Sequence, residues 1–137
     1  MEMLTLAKGT TLYHGTCASF DESVECLEGP AWVSRSLCVA RYFAQRSGAC
    51  KRLCRIVTYQ LTADVSLVLL DSVGARCALE QEHGIDFSGV FEMKESLLDS
   101  GISGWCAPYN YPDGDDIVLT CTSILEYIAT QPVESFS

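Results

Sequence analysis

Residues 51–62, KRLCRIVTYQLT, place Leu53, Val57, Tyr59 and Leu61 on one alternate set of positions, with Thr58 and Gln60 between them. A repeat of two is what a half-buried β-strand needs, and a helix, whose faces return every 3.6 residues, cannot use it. The next run, VSLVLLD at 65–71, is short and rich in Val and Leu, so it reads as a second strand. These two runs commit the chain to a sheet, and the remaining segments must cover it. TTLYHGT (10–16) reads as a first strand, and PAWVS is a short strand beginning at Pro30. SLCVARYFAQRSG (36–48) reads as a helix, with Ser34 or Ser36 as N-cap and Gly48 beyond its end. SVGARCALEQEHG (72–84) and DFSGVFEMKESLLDSG (86–101) read as two more, the second capped by Asp86 and stopped at Gly101. GWCAPYNYPDGDD (104–116) is rich in turn residues and reads as loop, and CASFDESVECLEG (17–29) reads as loop or irregular helix. DIVLTCTSI (116–124) is a strand and LEYIAT (125–130) a closing strand or turn. The expected class is α+β with mostly antiparallel pairing.

The 137 residues suit one domain, 1–137, with no linker, repeat or low-complexity segment. Hydrophobic residues at 48 % and charged residues at 20 % fit a folded chain and not a disordered one. No apolar run reaches the roughly 18 residues of a membrane span. The start, MEMLTLAKGT, does not read as a signal peptide. A formal net charge of −9 argues against a broad electrostatic grip on nucleic acid. The charge is uneven, however. Residues 29–63 hold no acid but include Arg35, Arg41, Arg46, Lys51, Arg52 and Arg55, so this window is +6 and the rest is −15 (−9 minus +6). The window is either a solvated basic face or a local anion site. Eight cysteines show no CxxC and no zinc spacing. They read as small buried hydrophobes and reduced thiols, in an intracellular, reducing compartment. PDGDD lacks the ligand pattern of a calcium loop, and no metal is expected.

Within the first strand, TLYHGT sets an imidazole beside a residue with no side chain. Glycine weakens strands, so its presence calls for a close approach to the backbone. A flat polar group lying on the backbone at His14 and Gly15 would satisfy that need.

Five pieces follow in order: LYHGT, WVSRSLCVARYFA, LVLLD, GISGWCAP and DDIVLTCTSILEYI. In that order they resemble the ADP-ribosyltransferase superfamily, in its diphtheria-toxin and poly(ADP-ribose) polymerase branch with the His-Tyr-Glu signature. The resemblance spans roughly residues 9–128. It implies a compact split antiparallel sheet with a few helices, and NAD as substrate. His14 would hydrogen-bond a ribose hydroxyl of NAD. Gly15 would hold the nicotinamide carboxamide through its N–H and C=O. Thr16 would brace the turn. Trp32, in place of the family's tyrosine, and Tyr42, in the Ala-x-Tyr of the helix, would flank the nicotinamide ring. A family serine before that alanine is Val39 here, leaving Ser34 or Ser36 to supply its hydrogen bond. Arg35 and Arg41 would face the pyrophosphate. The family's glutamate falls on DDIVLT, with Asp116 first and Asp115 second; aspartate is shorter by on the order of 1 Å. The implied activity is transfer of one ADP-ribosyl group to an acceptor, expected to be a protein, with release of nicotinamide.

Other readings compete for the same residues. A lone strand histidine such as His14, taken without the motif around it, is more often a hydrogen-bonded structural residue than a catalytic one. Trp32 and Tyr42 alone suit a core. Asp115 and Asp116 follow a turn signal and would serve turn solvation. The same fold with an imperfect triad would bind NAD, ADP-ribose or a protein without turnover. A Cys–His hydrolase would use Cys17 with His14 or His83, although nothing around Cys17 marks an activated thiol. Removal of RNA 2′-phosphates fits the acidic balance poorly.

Overall fold

Antiparallel ladders dominate the chain. The computed structural model describes residues 2–16, 24–46 and 54–133. Strands β1 (Met3–Leu6), β2 (Thr11–Thr16) and β3 (Ala31–Val33) precede helix α1 (Leu37–Arg46). Strands β4 (Arg55–Leu61) and β5 (Val65–Leu69) follow, then helices α2 (Val73–His83) and α3 (Val90–Ser100). Strands β6 (Gly104–Tyr111), β7 (Gly114–Leu119) and β8 (Leu125–Pro132) close the chain. One sheet runs β1-β5-β6-β7-β3 and the other β2-β4-β8. Among the described strands only β5 and β6 pair in parallel, Val68 opposite Trp105, and α2 and α3 make the crossover that a parallel pair needs.

Three apolar clusters arrange the layers. Leu12 and Leu61 of the three-stranded sheet pack on Val33, Leu67, Cys106, Ile117 and Leu119 of the five-stranded one. The far face of the larger sheet packs Val68, Trp105 and Val118 on Leu79 of α2 and Leu97 of α3. The far face of the smaller sheet packs Tyr13 and Ile56 on Leu37, Ala40 and Ala44 of α1. The order is helix, sheet, sheet, helix, an α+β domain. Each fully buried Leu or Ile contributes about 1.5–3 kcal/mol relative to exposure.

The alternation in residues 51–62 holds where described, since Val57, Tyr59 and Leu61 are all buried. Ile56 is buried as well, because α1 covers the opposite face. Three elements differ from the sequence reading. The MLTL run forms β1, pairing Leu4 with Leu67. The turn-rich GWCAPYNY run forms β6, between β5 and β7. Its register against β7 breaks between Ala107 and Tyr111, and this irregularity accommodates Pro108, which has no N–H to give a ladder. Helix α3 begins at Val90 after Gly89, because Asp86 instead accepts from the Ser88 N–H at 3.0 Å in a local turn.

Among the described cysteines Cys26, Cys38, Cys77, Cys106 and Cys121 are free thiols, while Cys54 is disulfide-bonded. The expectation of reduced thiols is corrected at Cys54. Such a pairing depends on Cα separation in the fold, which spacing along the chain does not reveal. No described helix is long and apolar enough to cross a membrane.

Candidate functional site

The two sheets meet edge to edge at one point. Tyr13 N–H donates to the Ser34 carbonyl at 2.8 Å, and Ser34 N–H donates to the Tyr13 carbonyl at 2.9 Å. Even-numbered residues of this segment face β4 with their backbone groups, as when the Thr10 carbonyl accepts from Leu61 N–H at 2.9 Å. Odd-numbered residues face the other edge. Gly15 therefore directs its N–H and C=O to the Ser34 side, one step beyond the Tyr13–Ser34 junction. A donor and an acceptor on adjacent positions of one edge can hold a planar amide.

Gly15 also has a packing reason. A Cβ there would lie 1.8 Å from the Ala40 carbonyl oxygen and 2.8 Å from Ala44 N. Helix α1 presses its backbone onto β2, so only glycine fits. The glycine that the sequence assigns to ligand access is first a helix-contact glycine.

His14 is on the Leu12 side of β2, facing the larger sheet. Its Nδ1 lies 2.8 Å from the Trp32 carbonyl oxygen. A carbonyl only accepts, so Nδ1 carries the proton and, in neutral imidazole, Nε2 is the acceptor nitrogen. The sequence pairs His14 with Trp32 as neighbours in a site, and they are neighbours through this main-chain oxygen. The Trp32 ring points elsewhere. Val33 packs between the sheets, so Trp32 faces the other side, with the cluster under α2 and α3. Lys94 Nζ lies 5.6 Å from the centre of its ring.

Asp115 is 6 % exposed and occupies the centre of a polar knot. The buried Ser34 hydroxyl donates to the Asp115 carbonyl at 2.8 Å and to its Oδ1 at 2.9 Å. Arg35 N–H donates to the same Oδ1 at 3.0 Å, and Arg35 Nε donates to Oδ2 at 2.6 Å. Ser34 Oγ in turn accepts from Ser36 N–H at 2.9 Å, and Ser36 Oγ caps α1 by accepting from Val39 N–H at 3.4 Å. Partial burial pulls the Arg35 pKa down, but hydrogen bonding and attraction to Asp115 outweigh it, so the pKa is raised and the cation is secure. Beneath the pair the buried Cys106 thiol is pushed up to about 11, first by burial and then by the Asp115 charge. It is no nucleophile at neutral pH.

Asp115 and Asp116 point to opposite faces of β7. Asp115 shares its sheet face with Ile117 and Leu119, which pack between the sheets, where His14 also lies. Alternation places Asp116 on the opposite face, that of Val118, which packs under α2 and α3. A strand position preceding Ile117 by one residue points away from the side His14 faces, and one preceding it by two points toward it.

Tyr42 is two residues from both Ala40 and Ala44, about half a turn around α1 from the face that meets Gly15. Its ring is 5.5 Å from that of Tyr111, and Tyr111 meets Phe43 edge-on at 5.3 Å. Tyr111 was not anticipated, since it lies in the segment read as loop. These tyrosines line a hollow of about 230 Å³ with Cys38, Val39, Pro112 and Asp113. A second hollow of about 280 Å³ is lined by Arg35, Ser36, Pro108, Gly114 and Asp115. A larger hollow, about 520 Å³, lies at Glu2, Asp71, Ser72 and Glu82 near the start of α2, away from His14 and Asp115.

Comparison with protein-family models, curated proteins and solved structures finds no match.

The remaining candidates fall as follows. Thr16 ends β2 opposite Arg55, and Arg41 is half-buried on α1. Glu126 is exposed on β8 opposite Gln60, at the Thr11 end of the sheet and not at His14. His83 is in the last turn of α2. Cys17 and Gly48 lie outside the described residues. Among the described residues no group of three or more His, Cys, Asp or Glu is arranged to hold a metal ion.

Proposed function

We propose that this protein takes NAD as substrate and transfers a single ADP-ribosyl group to an acceptor, expected to be a protein, releasing nicotinamide. The observation that carries the reading is the edge geometry of Gly15. Its N–H and C=O face the Ser34 side of β2, beyond the Tyr13–Ser34 junction, beside an imidazole whose Nδ1 is fixed by the Trp32 carbonyl. The amide of nicotinamide matches that donor and acceptor, and a ribose hydroxyl matches the acceptor Nε2 of neutral His14.

In the reaction the bond from ribose C1′ to the nicotinamide nitrogen breaks, and its electron pair leaves with nicotinamide. The acceptor's nucleophilic atom forms the new bond to C1′, and its proton passes to solvent. Positive charge grows on the ribose in between, and a carboxylate nearby stabilises it. Asp115 is the better placed of the two aspartates for that role, because it faces the same side as His14. Arg35 and Arg41 remain the candidate partners of the pyrophosphate. Trp32 contributes its carbonyl to the site, and Tyr42 contributes a ring to the neighbouring hollow.

A second reading, a module of this fold that binds NAD or ADP-ribose without turnover, is favoured by the occupation of both Asp115 oxygens by Ser34 and Arg35. A carboxylate held in this way is slow to turn toward a substrate. Incubation with NAD labelled in the nicotinamide and, separately, in the adenylate distinguishes them. The transferase releases the first label and attaches the second to an acceptor in a cell lysate. Saturable retention of both labels with no release identifies the module, and no retention of either rules out both.

A further inference from the structure

Helix α3 carries an exposed apolar stripe. Phe91 and Leu98, seven residues apart, are 67 % and 58 % exposed and at 100° per residue lie about 20° apart on the helix; Val90, 58 % exposed, flanks them beyond the half-buried Lys94, whose amine lies toward the Trp32 ring. Leu97 fills the opposite need, buried against the sheet. Alongside the apolar stripe runs an acidic one. Glu92, Glu95 and Asp99 are spaced three, four and seven residues apart, so they stack on one adjoining face, and all three are exposed.

Folding does not account for this pair of stripes. Leaving Phe91 and Leu98 in water forgoes burial that other positions of the same helix obtain. Glu92, in the first turn, suits the positive end of the helix dipole. Asp99 does not: it lies in the last turn, which holds no basic residue, where a carboxylate opposes the dipole. Three neighbouring carboxylates also repel one another. Among the described residues the ion pairs of Arg35 with Asp115 and of Arg76 with Glu80 leave these three carboxylates aside. A helix that gives up stability in both its apolar and its charged surface has been shaped by something other than its own fold.

We propose that α3 is a docking face for a basic amphipathic helix of a partner protein. Phe91 and Leu98 would receive apolar side chains at i and i+7 of that helix. Glu92, Glu95 and Asp99 would meet a flanking row of Lys or Arg. Charge complementarity selects this occupant: the acidic row repels an acidic partner and an anionic membrane alike, and apolar contact alone would not need it. The face lies on the outer side of the five-stranded sheet, apart from His14 and Gly15, so the inference does not depend on the reaction proposed above.

The test is fluorescence anisotropy with a labelled 18-residue Leu/Lys peptide of amphipathic helical pattern. Wild-type protein is expected to bind it saturably, less tightly as salt rises from 0.05 to 0.5 M. Phe91→Ser with Leu98→Ser, and separately Glu95→Lys with Asp99→Lys, should each weaken binding at least tenfold. Glu28→Lys with Glu126→Lys, an equal charge change at two exposed sites of other elements, should change it less than twofold. All these positions are exposed, and thermal midpoints check that the variants fold. Chemical-shift mapping on the wild type asks the same question without substitution: shifts centred on residues 90–100 support the face, and shifts elsewhere overturn it. Equal binding of a Leu/Glu peptide overturns the charge argument. Concentration-dependent dimerisation of the wild type that Phe91→Ser with Leu98→Ser abolishes assigns the face to a second copy instead, and also overturns the proposal.

Discussion

The Ser34 hydroxyl is shared by two oxygens of Asp115, its carbonyl at 2.8 Å and its carboxylate at 2.9 Å. Ser34 belongs to the turn between β3 and α1, and Asp115 to β7, 81 positions later. Through Ser34 the same turn is bonded to Tyr13 on β2. Ser34 thus ties the start of α1 to both sheets, to β7 by its hydroxyl and to β2 by its main chain.

Asp115→Asn keeps the size of the side chain but gives Arg35 and Ser34 an amide in place of a carboxylate. Arg35 is 44 % exposed and can rehydrate, so the expected loss is about 1–3 kcal/mol by denaturant titration. Nicotinamide release should fall far more than this loss explains, measured at a temperature where the variant is folded. Asp116→Ala should retain release. Full activity in the Asp115 variant together with loss in the Asp116 variant would return the role to Asp116.

His14→Ala removes the hydrogen bond to the Trp32 carbonyl and leaves that oxygen without its donor. The cost in stability should be about 1 kcal/mol, while NAD affinity drops at least tenfold. A calorimetric titration and a thermal melt read the two effects separately. A melt that collapses with unchanged affinity in the surviving folded fraction identifies His14 as structural.

Gly15→Ala tests packing and not ligand access. The added methyl group would overlap the Ala40 carbonyl, so α1 must shift from β2 at a cost of about 3 kcal/mol. A stability equal to wild type would mean that α1 does not lie against Gly15. Benzamide binding to the wild-type protein, read by line broadening, is the cleaner probe of the carboxamide edge.

Cys106 sets an alkaline limit. Its folded value is about 11 against an ordinary 9.0. Between these values the unfolded chain loses the thiol proton while the folded chain keeps it. Stability is therefore fully present below pH 9 and falls as pH rises toward 11. Urea midpoints of wild type should decline across that window, and Cys106→Ala, though less stable overall, should show a shallower decline over the same range.

The strands at 55–61 and 65–69 and the helices at 37–46 and 73–83 were legible from the chain, because period and capping residues are local properties. Ser36 and Ser72 cap their helices, and Gly84 closes α2 with φ +68, as their residue types require. His14 and Gly15 were legible as an unusual pair for the same reason. Strand β6 was not. Its Gly104, Pro108 and Asn110 mark a turn locally, and only pairing with β5 and β7 makes the segment a strand. The faces to which Asp115 and Asp116 belong were not legible either. Both stand in one run, and which of them faces His14 depends on which alternate residues of β7 the second sheet buries. The role of Gly15 divides in the same way. Sequence pointed to a backbone approach there, since a glycine in a strand interior gives up packing and marks a bulge, a bend or a close approach. Tertiary structure decided that one approaching backbone is that of α1, because the contact joins residues 25 positions apart (40 minus 15) and exists only once the helix folds back onto β2.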